Sequence, residues 1–429
     1  MSDLDFSEIP VAGSADVVVA GGGPGGLCAA VAAAEEGADV ILAERYGFLG
    51  GMATAGLVNP FMSFYAGDEQ INKGLFQRLI DELEEHGGWN HRPKARHAFD
   101  PQIMKIVCDV LAQKAGVTLL LHSFAVDAVA ADGEVQKIIL AGKSGLQALE
   151  ADVFVDGTGD ADIAARAGAE IEMGREEDEF CQPMTLCFRM VGVEEDKLPS
   201  RSRINELYDE AKEAGEIENP RENVLYFYTP HKGEIHFNTT RVVMHDATDT
   251  ESMTEVEQIA RRQVEQMADF LRRDVSGFEN AYVSAIATQT GVRESRRVMG
   301  DYVLTADDVL GARKFEDGIA RGSYPIDIHN PTGTGTVIKR VPPGEAYDIP
   351  YRCLCPKGFD NLLIAGRPIS SDHAAHSSHR VMPIAANNGE AAGVAAALCV
   401  RDGCDIRDVD AGELRSVITR RGGSIYEES

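Results

Sequence analysis

The feature that most constrains this fold is a glycine-rich segment between a predicted strand and a predicted helix. Residues 15–20 form a short apolar run that is typical of a buried parallel strand. The sequence GGGPGG follows at 21–26, and the alanine-rich residues 27–36 favour a helix. A second apolar run at 38–43 leads directly into Glu44. This order predicts a β-α-β unit about 30 residues long.

The glycine spacing in this turn matches what a bound dinucleotide requires. Gly21 allows a tight turn, Gly23 allows a pyrophosphate to approach the backbone, and Gly26 allows the helix to pack on the strand. The helix N-terminus would present free N–H groups and a positive dipole end to the phosphates. Glu44, at the end of the next strand, would accept hydrogen bonds from a ribose hydroxyl. The spacing predicts a dinucleotide site and by itself fits NAD and FAD equally.

Charge and composition exclude several other classes of protein. The 429 residues carry 41 Lys and Arg against 69 Asp and Glu, a net charge of −28 that would repel nucleic acid and anionic membranes. The hydrophobic fraction of 44% suits an ordinary globular chain, and eight cysteines are too few for a disulfide scaffold. The acidic start lacks the pattern of a signal peptide. We therefore expect a soluble, cytoplasmic protein with neither nucleic acid nor membrane as a partner.

Further along the chain, the patterns of apolar residues predict an α/β fold. Helices are predicted over 73–86 and 101–115, and strands over 124–130 and 135–141. The pair Asp132-Gly133 predicts a hairpin turn between these two strands. From about residue 172 charged helices alternate with short strand-like segments, and an apolar strand followed by a glycine- and alanine-rich helix returns near the end. We predict one discontinuous domain of residues 1–172 and 346–429, interrupted by a domain of residues 173–345.

Short segments in a fixed order along the chain match the pattern of one family. They lie at residues 44–56, 99–101 with Lys105, 155–162, 291–297 with 300–302, 349–352, 361–367, 380–383 and 389–393. Through these segments the chain resembles the broad FAD-dependent oxidoreductase family that is often met in bacterial genomes. The resemblance covers nearly the whole chain and favours FAD as the cofactor. It implies an α/β fold with a Rossmann-like, glutathione-reductase-like FAD domain and an inserted, mostly β substrate domain.

The resemblance also implies which residues contact FAD. The pyrophosphate would lie on the glycine-rich turn and the adenosine ribose at the end of the next strand, with further turns lining the path to the flavin. The implied residues are Gly21, Gly23, Pro24, Gly26, Glu44, Arg45, Gly51, Met52, Thr54, Thr158, Gly159, Asp160, Gly366, Arg367 and Met382.

A flavin that accepts hydride at N5 gathers negative charge over N1 and the C2 carbonyl. A fixed positive group at this edge would stabilise the transition state. The sequence offers two such groups, Arg380 and the N-terminus of the helix that begins near Pro383. We expect the backbone of residues 382–388 to face the pyrimidine edge of the flavin.

Three of the 11 histidines, His373, His376 and His379, fall within seven residues of one another. Neutral imidazole is the usual base for removing a proton from an alcohol while hydride leaves the same carbon. One of the three is therefore a candidate catalytic base. The alternatives are a polar loop with structural histidines and a metal site. No carboxylate or cysteine pattern completes a metal site, so none is predicted.

The arginine cluster around Arg293 has two interpretations. Its guanidinium groups could clamp an anionic substrate, or they could form an internal salt-bridge network with Glu294 and Asp301. The strand-like segment 236–243 carries His236, Asn238 and Arg241, which are further candidates for the substrate side.

Taken together, the resemblance implies an enzyme that transfers hydride between flavin N5 and a small organic substrate. Dehydrogenation of a C–OH or C–C bond and reduction of a C=C bond both fit. No second Gly-x-Gly-x-x-Gly follows a strand, so a nicotinamide would have to enter the substrate cavity itself. The alternatives are a flavin subunit that relays electrons to a partner protein and FAD held as a structural or sensing ligand. The sequence carries no signal for an oligomeric state.

Overall fold

The computed structural model describes residues 6–426, and within this range the chain forms helices, short 3₁₀ turns and strands in alternation. The α-helices are α1 (Pro24–Glu35), α2 (Leu75–Glu85), α3 (Pro101–Ala115), α4 (Asp162–Ala167), α5 (Arg201–Glu213), α6 (Thr250–Asp274), α7 (Ala306–Leu310), α8 (His373–His379), α9 (Met382–Asp402) and α10 (Ala411–Arg420). The 3₁₀ turns are Phe6–Glu8, Gly51–Ala53, Pro93–Ala95, Glu195–Lys197, Tyr351–Cys353 and Ile406–Asp408.

The strands vary from two to twelve residues in length. They are β1 (Val11–Ala20), β2 (Val40–Glu44), β3 (Tyr65–Ala66), β4 (Glu69–Gln70), β5 (Thr118–Leu121), β6 (Phe124–Ala131), β7 (Glu134–Gly142), β8 (Gly145–Asp156), β9 (Ile171–Met173), β10 (Phe188–Val191), β11 (Tyr226–Tyr228), β12 (Glu234–Phe237), β13 (Tyr282–Ile286), β14 (Arg296–Val298), β15 (Gly318–Gly322), β16 (Ile326–His329), β17 (Thr336–Lys339), β18 (Tyr347–Pro350) and β19 (Leu362–Ile364).

The largest sheet has the strand order β5-β2-β1-β8-β7-β6, and β19 also pairs with β8. Residues 17–20 of β1 run parallel to residues 40–43 of β2 on one side and to residues 153–156 of β8 on the other. Both faces of β1 are buried here, which is why its sequence is continuously apolar rather than alternating. The predicted β-α-β unit is confirmed.

The outer part of this sheet is an antiparallel hairpin. Strands β6 and β7 pair antiparallel, and β7 pairs antiparallel with β8. Between β6 and β7, Asp132 has φ 52° and Gly133 has φ 87°. Two adjacent residues with positive φ match the twist of a tight hairpin, which is why the Asp-Gly pair predicted this turn correctly.

Helix α9 packs against α1 through glycines spaced four residues apart. A Cβ on Gly389 would lie 2.1 Å from the Gly25 carbonyl oxygen, and one on Gly393 would lie 2.0 Å from the Ala29 carbonyl oxygen. Only glycine permits this approach. Because Gly389 lies beside Gly25 and Gly393 lies beside Ala29, the two helices run in the same direction. The first turns of α9 therefore extend about 9 Å beyond the start of α1, at 1.5 Å per residue.

The described part of the chain has two large hydrophobic cores and a small third cluster of Ala66, Ile71 and Ala346. The first includes the largest sheet, α1, α2, α3, α9 and much of residues 298–364. The second draws on residues 184–292 and on Leu57, and contains the antiparallel sheet β11-β12-β10-β13. The second core lies within the predicted range 173–345, but residues 298–345 contribute to the first one. The domain boundaries stay a prediction.

The expectation of a mostly β insert is wrong. Helix α6 alone has 25 residues, whereas every strand between residues 173 and 345 has five residues or fewer. The apolar residues of α6 recur at helical spacing and share one core with the short sheet. A long helix therefore covers the short strands, and the region is mixed α/β.

Candidate active site

One cavity of about 540 Å³ extends from the glycine-rich turn to residues of the second core. Its first side lies where the parallel strands β1, β2, β8 and β19 reach their carboxyl ends, the usual binding edge of such a sheet. The sequence-predicted residues that line this side are Gly21, Gly23, Pro24, Glu44, Arg45, Gly51, Met52, Thr158, Gly159, Asp160, Gly366, Arg367 and Met382, whereas the predicted Arg380 lines the other side. We call this side the cradle.

Three glycines of the turn after β1 have different surroundings. Gly21 has φ 93°, and a Cβ on it would lie 2.5 Å from the Gly157 carbonyl oxygen. A Cβ on Gly26 would lie 1.8 Å from the Gly21 carbonyl oxygen, so this glycine permits tight packing of the helix and does not line the cavity. Gly23 faces open space, because a Cβ on it would be no closer than 3.8 Å to any atom, here Gly51 Cα.

Glu44 is buried at the end of β2 and fixes the turn beside it. Its Oε2 accepts a hydrogen bond from the Gly22 N–H at 2.7 Å, and its Oε1 accepts one from the Tyr46 N–H at 2.9 Å. Burial raises the pKa of this carboxyl, although both hydrogen bonds oppose the rise. Each oxygen keeps a further lone pair, so Glu44 can still accept from a ligand hydroxyl in the cavity.

Asp156, at the end of β8, is a site residue that the sequence reasoning missed. This fully buried carboxylate accepts from the Thr158 N–H at 3.0 Å, the Thr158 hydroxyl at 2.7 Å and the Ala164 N–H at 2.9 Å. Burial raises its pKa. It thereby holds the turn 157–160 against the cavity. The available signal was its position, since Asp156 ends a buried strand just as Glu44 does.

The turn after β19 is tied both to α9 and to the turn after β8. Asn388 accepts from the Gly366 N–H at 2.6 Å and donates to the Gly366 carbonyl oxygen at 3.0 Å. The Arg367 side chain donates to the Gly159 carbonyl oxygen at 2.8 Å and also contacts the Asp160 carboxylate. Arg367 therefore joins two turns of the cradle.

The N-terminus of α9 lies at the same cavity. Val381, Met382 and Ala385 line it, and the Ala385 N–H donates to the Val381 carbonyl oxygen at 3.0 Å. Pro383 has no N–H, and the other N–H groups of a first turn have no partner within the helix. The helix begins at Met382, close to the predicted start near Pro383, and its positive end lies at the cavity.

Thr54 does not line the cavity. Its hydroxyl donates to the Leu49 carbonyl oxygen at 2.7 Å and so closes the loop that follows β2. Thr54 therefore shapes the loop that carries Met52, and any contact of its own with a cofactor stays a prediction.

The three clustered histidines lie in helix α8 rather than in a polar loop. Asp372 caps this helix by accepting from the Ala375 N–H at 2.6 Å, and the alanines that follow favour the helix. None of the three lines the cavity. Their predicted role as a base is not tested by this arrangement and stays a prediction.

His376 and His379 are buried, whereas His373 is partly exposed, and the three have different contacts. His373 Nδ1 lies 2.8 Å from Glu294 Oε1, and His379 Nε2 lies 2.8 Å from the Ser371 hydroxyl. Both ring nitrogens of His376 lack a partner. Burial lowers the pKa of His376 and lowers that of His379 to about 3. Within residues 6–426 no group of three or more His, Cys, Asp or Glu side chains is placed to hold a metal ion.

A second group of residues on the cavity, Tyr324, Asp327 and His329, was missed by sequence reasoning. The Tyr324 hydroxyl donates to Asp327 Oδ2 at 2.7 Å, and His329 Nε2 lies 3.6 Å from the same oxygen. Burial lowers the pKa of His329 to about 3. Burial would raise the pKa of Asp327, but His329, Arg380 and Tyr324 together hold it below its usual value. The available signal was the Asp-x-His alternation, which places both side chains on one face of β16.

The arginine cluster fits both interpretations at different residues. Arg297 pairs with Glu294 at 2.7 Å and Arg296 pairs with Asp162 at 3.0 Å, which are structural contacts between elements. Asp301 was the wrong partner, because it pairs with Arg407 at 2.8 Å. Arg293 instead lines the cavity.

The other side of the cavity is formed mainly by polar and aromatic residues of the second core and of β16 and its neighbours. Arg293 donates to the Pro183 carbonyl oxygen at 2.6 Å and to Asn238 Oδ1 at 3.3 Å. Burial, together with repulsion from nearby arginines, lowers its pKa to about 9. We call this side the wall; it comprises Arg221, Leu225, Phe227, Asn238, Arg293, Tyr324, Asp327, His329 and Arg380.

Two other candidates of the substrate side do not line the cavity. His236 is fully buried and neither of its ring nitrogens has a partner. Arg241 lies behind the wall, where its Nη1 is 3.0 Å from Glu222 Oε2 and its Nη2 is 3.1 Å from His329 Nδ1. Arg241 therefore orients His329 rather than facing a ligand.

Several solved structures match most of this chain at low sequence identity. One is the p-nitrophenol 4-monooxygenase PnpA of Pseudomonas putida DLL-E4, at 12% identity and TM-score 0.49 over 97% of this chain and 90% of that one. Another is a geranylgeranyl bacteriochlorophyll reductase-like protein of Thermoplasma acidophilum, at 13% identity and TM-score 0.47 over 95% and 84% of the two chains. They are named for different reactions. Comparison with curated proteins gives no match.

Within the described residues no helix is long and apolar enough to cross a membrane. The family comparison is more specific than the structural one. Residues 16–418 match the family described as FAD dependent oxidoreductase. Because this match spans nearly all of its length, the chain belongs to the FAD dependent oxidoreductase family.

Proposed function

We propose that this FAD-dependent oxidoreductase transfers hydride between FAD and a small organic substrate that is held in the same cavity. One observation carries the proposal: the cradle and the wall line a single continuous cavity. A cofactor on the cradle would therefore share a boundary with whatever the wall binds. Dehydrogenation of a C–OH or C–C bond and reduction of a C=C bond remain the two reaction types that fit.

The cradle has the features that FAD requires. The open side of Gly23 faces the cavity beside the start of α1, where a pyrophosphate would accept from unpaired N–H groups. Glu44 keeps lone pairs for a ribose hydroxyl. Met52 and the turns at 158–160 and 366–367 would then line the path toward the flavin.

We further propose that the chain is arranged as a glutathione-reductase-like FAD domain of residues 1–172 and 346–429 with a substrate domain inserted at 173–345. The return of β19 to the side of β8 supports a discontinuous first domain. The separate core of residues 184–292 supports an independent second unit.

When bound, FAD supplies hydride acceptance and donation at N5, and the positive end of α9 and Arg380 would stabilise the charge that gathers at the pyrimidine edge. For the reduction of a C=C bond, in which FAD would supply the hydride, Tyr324 is our candidate for donating the proton. Burial raises the pKa of its hydroxyl, so Tyr324 keeps its proton at neutral pH. Asp327 accepts the hydrogen bond from this hydroxyl and fixes its direction.

The test is the visible absorption spectrum of the purified protein, followed by acid precipitation and analysis of the released cofactor. We expect a flavin spectrum, release of FAD, and bleaching by at least one small substrate in an anaerobic screen. A protein that neither carries nor takes up FAD would contradict the proposal. Bound FAD that no donor can reduce would instead favour a structural or sensing ligand, and reduction only by a partner protein would favour an electron-relay subunit.

A further inference from the structure

We propose that the substrate carries a carboxylate, which is bound by Arg221 and Arg293 on the wall of the cavity. This inference rests on the proposed function, because it assigns a chemical class to the substrate that would react there. It depends on the charges of the wall, on their hydrogen-bond partners and on the apolar surface beside them.

Arg221 is a buried cation that lines the cavity and has an unpaired guanidinium nitrogen. Only 4% of the residue is exposed, and its Nη1 has no hydrogen-bond partner among the residues described. Its Nε donates to Asn223 Oδ1 at 3.3 Å, which is a neutral acceptor. Among the described residues no carboxylate oxygen lies within 4.0 Å of this guanidinium. The side chain is therefore positioned by the protein without being neutralised by it.

Arg293 is held in the same manner. Its partners are the Pro183 carbonyl oxygen, the Thr185 hydroxyl and Asn238 Oδ1, all of them neutral. Repulsion from Arg380, Arg221 and Arg241 adds to burial in lowering its pKa. Three neutral acceptors orient the guanidinium while leaving its charge to attract an anion from the cavity.

The carboxylates on the cavity already have other partners. Asp160 pairs with Arg367 and accepts from Ser295, and Glu222 pairs with Arg241. Asp327 accepts from Tyr324 and lies 3.9 Å from Arg380. In the described part of the chain none of them is within ion-pair distance of Arg221 or Arg293. With three arginines and one aspartate the wall has excess positive charge, in a chain whose net charge is −28. A buried cation without a counter-ion is unfavourable, and such groups concentrate where a ligand supplies the opposite charge.

The anion could come from the substrate or from the FAD pyrophosphate. Leu225 and Phe227 line the cavity with Arg221, giving this side the mixture of apolar surface and few charges that is typical of organic ligand sites. The glycine-rich turn and the start of α1 already provide a phosphate site in the cradle. A planar guanidinium also matches a carboxylate in geometry. These observations favour the substrate as the source.

The experiment compares each carboxylate with its uncharged amide on the FAD-loaded protein. Benzoate is matched with benzamide and acetate with acetamide, and binding is followed by calorimetry and by the change in the flavin spectrum. We expect each carboxylate to bind at least tenfold more tightly than its amide. Both sizes of probe are used so that steric fit does not decide the outcome.

Variants then assign the binding to the two arginines. We expect Arg293→Gln and Arg221→Gln each to weaken benzoate binding at least tenfold, with benzamide binding and FAD content unchanged. Arg293→Lys keeps the charge and should retain part of the selectivity. Arg203→Gln is the matched control, because Arg203 is exposed on α5 and pairs only with Glu206 and Glu210.

The outcomes separate this inference from the proposed function. Equal binding of carboxylates and amides to the FAD-loaded wild-type protein overturns the inference even if no variant folds, and leaves the proposed function intact. Loss of FAD from the Gln variants would assign the arginines to the cofactor phosphates and also overturn it. A wild-type protein that binds no FAD contradicts both.

Discussion

The cradle and the wall differ in how far the protein itself supplies hydrogen-bond partners for their polar groups. In the cradle, Glu44, Asp156, Arg367 and Asn388 each use hydrogen bonds to the protein itself to fix a turn. In the wall, the buried Arg221 Nη1 and Arg380 Nε have no hydrogen-bond partner within residues 6–426. The difference indicates that the turns of the cradle are already formed before any ligand binds. The arginines of the wall, by contrast, would gain their missing hydrogen-bond acceptors and opposite charge from a bound ligand. Four predictions test this contrast, from the largest expected effect to the smallest.

Tyr324→Phe tests whether the wall supplies chemistry as well as binding. We expect hydride transfer from reduced FAD to a C=C substrate, followed as anaerobic reoxidation of the flavin, to slow about a thousandfold, within the range for general acid–base catalysis, because the variant lacks the hydroxyl proton that the reduced product must receive. FAD content should stay unchanged. Stopped-flow measurement under anaerobic conditions gives the rate. Tyr282→Phe, at an exposed tyrosine of β13, is the control, and an equal rate in both variants would remove Tyr324 from the reaction.

Asp156→Ala tests the cradle as a prebuilt structure. Three donors, two of them backbone N–H groups, would lose their buried acceptor. We expect the free energy of unfolding to fall by about 3 kcal/mol, because unsatisfied buried donors keep their desolvation penalty. Urea unfolding of the FAD-free protein measures it. Asp152→Ala, at an exposed position of the same strand, should change stability little, and a similar loss in both would contradict the role of Asp156.

Gly23→Val tests whether Gly23 is needed to leave room for the cofactor or to allow the protein itself to pack. The new side chain would enter the cavity, whereas the nearest protein atom to its Cβ is 3.8 Å away. We expect FAD affinity to fall about a hundredfold, equivalent to about 2.7 kcal/mol, with little change in the stability of the FAD-free protein. Fluorescence titration with FAD measures this affinity. Gly13→Ala is the control, since its Cβ meets Leu149 Cδ2 at an ordinary 3.5 Å; retained affinity in Gly23→Val would place the pyrophosphate elsewhere.

His379 lies in α8, behind the wall. Its lowered pKa predicts that the stability of the protein depends on pH. Burial, with help from Arg297, lowers its folded-state pKa to about 3, below the value near 6.5 of an unfolded chain. As pH falls below about 6.5 the unfolded state binds a proton that the folded state does not, so stability decreases toward pH 3. His379→Gln should reduce this slope by about 1.4 kcal/mol per pH unit. Urea unfolding at pH 4, 5 and 6 tests it, with the exposed His91→Gln as control; an unchanged slope would mean that His379 titrates normally.

Helix α8 shows why the histidine cluster was difficult to interpret from sequence. Its Ser377 hydroxyl accepts from the Asp327 N–H at 3.0 Å, so α8 contacts β16 directly. The helix therefore supports the residues of the wall without contributing its own imidazoles to the cavity. Clustering along the chain indicated proximity to the site, but the helical turn decided which side chains face it.

The sequence by itself determined the β-α-β unit, the Asp132-Gly133 hairpin and most of the cradle. These features depend on local spacing and on backbone conformations that only certain residues adopt, and both are visible within about 30 residues. Even α9 was predictable, because a glycine- and alanine-rich stretch after Pro383 favours a closely packed helix.

Which residues come together to form the wall was decided only by the tertiary structure. Arg221, Arg293, Tyr324 and Arg380 come from segments separated by as many as 159 residues, and no local spacing relates them. Whether a charged side chain is neutralised depends on partners brought close by packing, as the pairing of Arg297 with Glu294 but not of Arg293 with any carboxylate shows. The proposed cofactor site is local in origin and was visible in the sequence. The sequence also named Arg293, Asn238 and Arg380 as separate candidates, but only long-range packing brings them together with Arg221 and Tyr324 on one cavity.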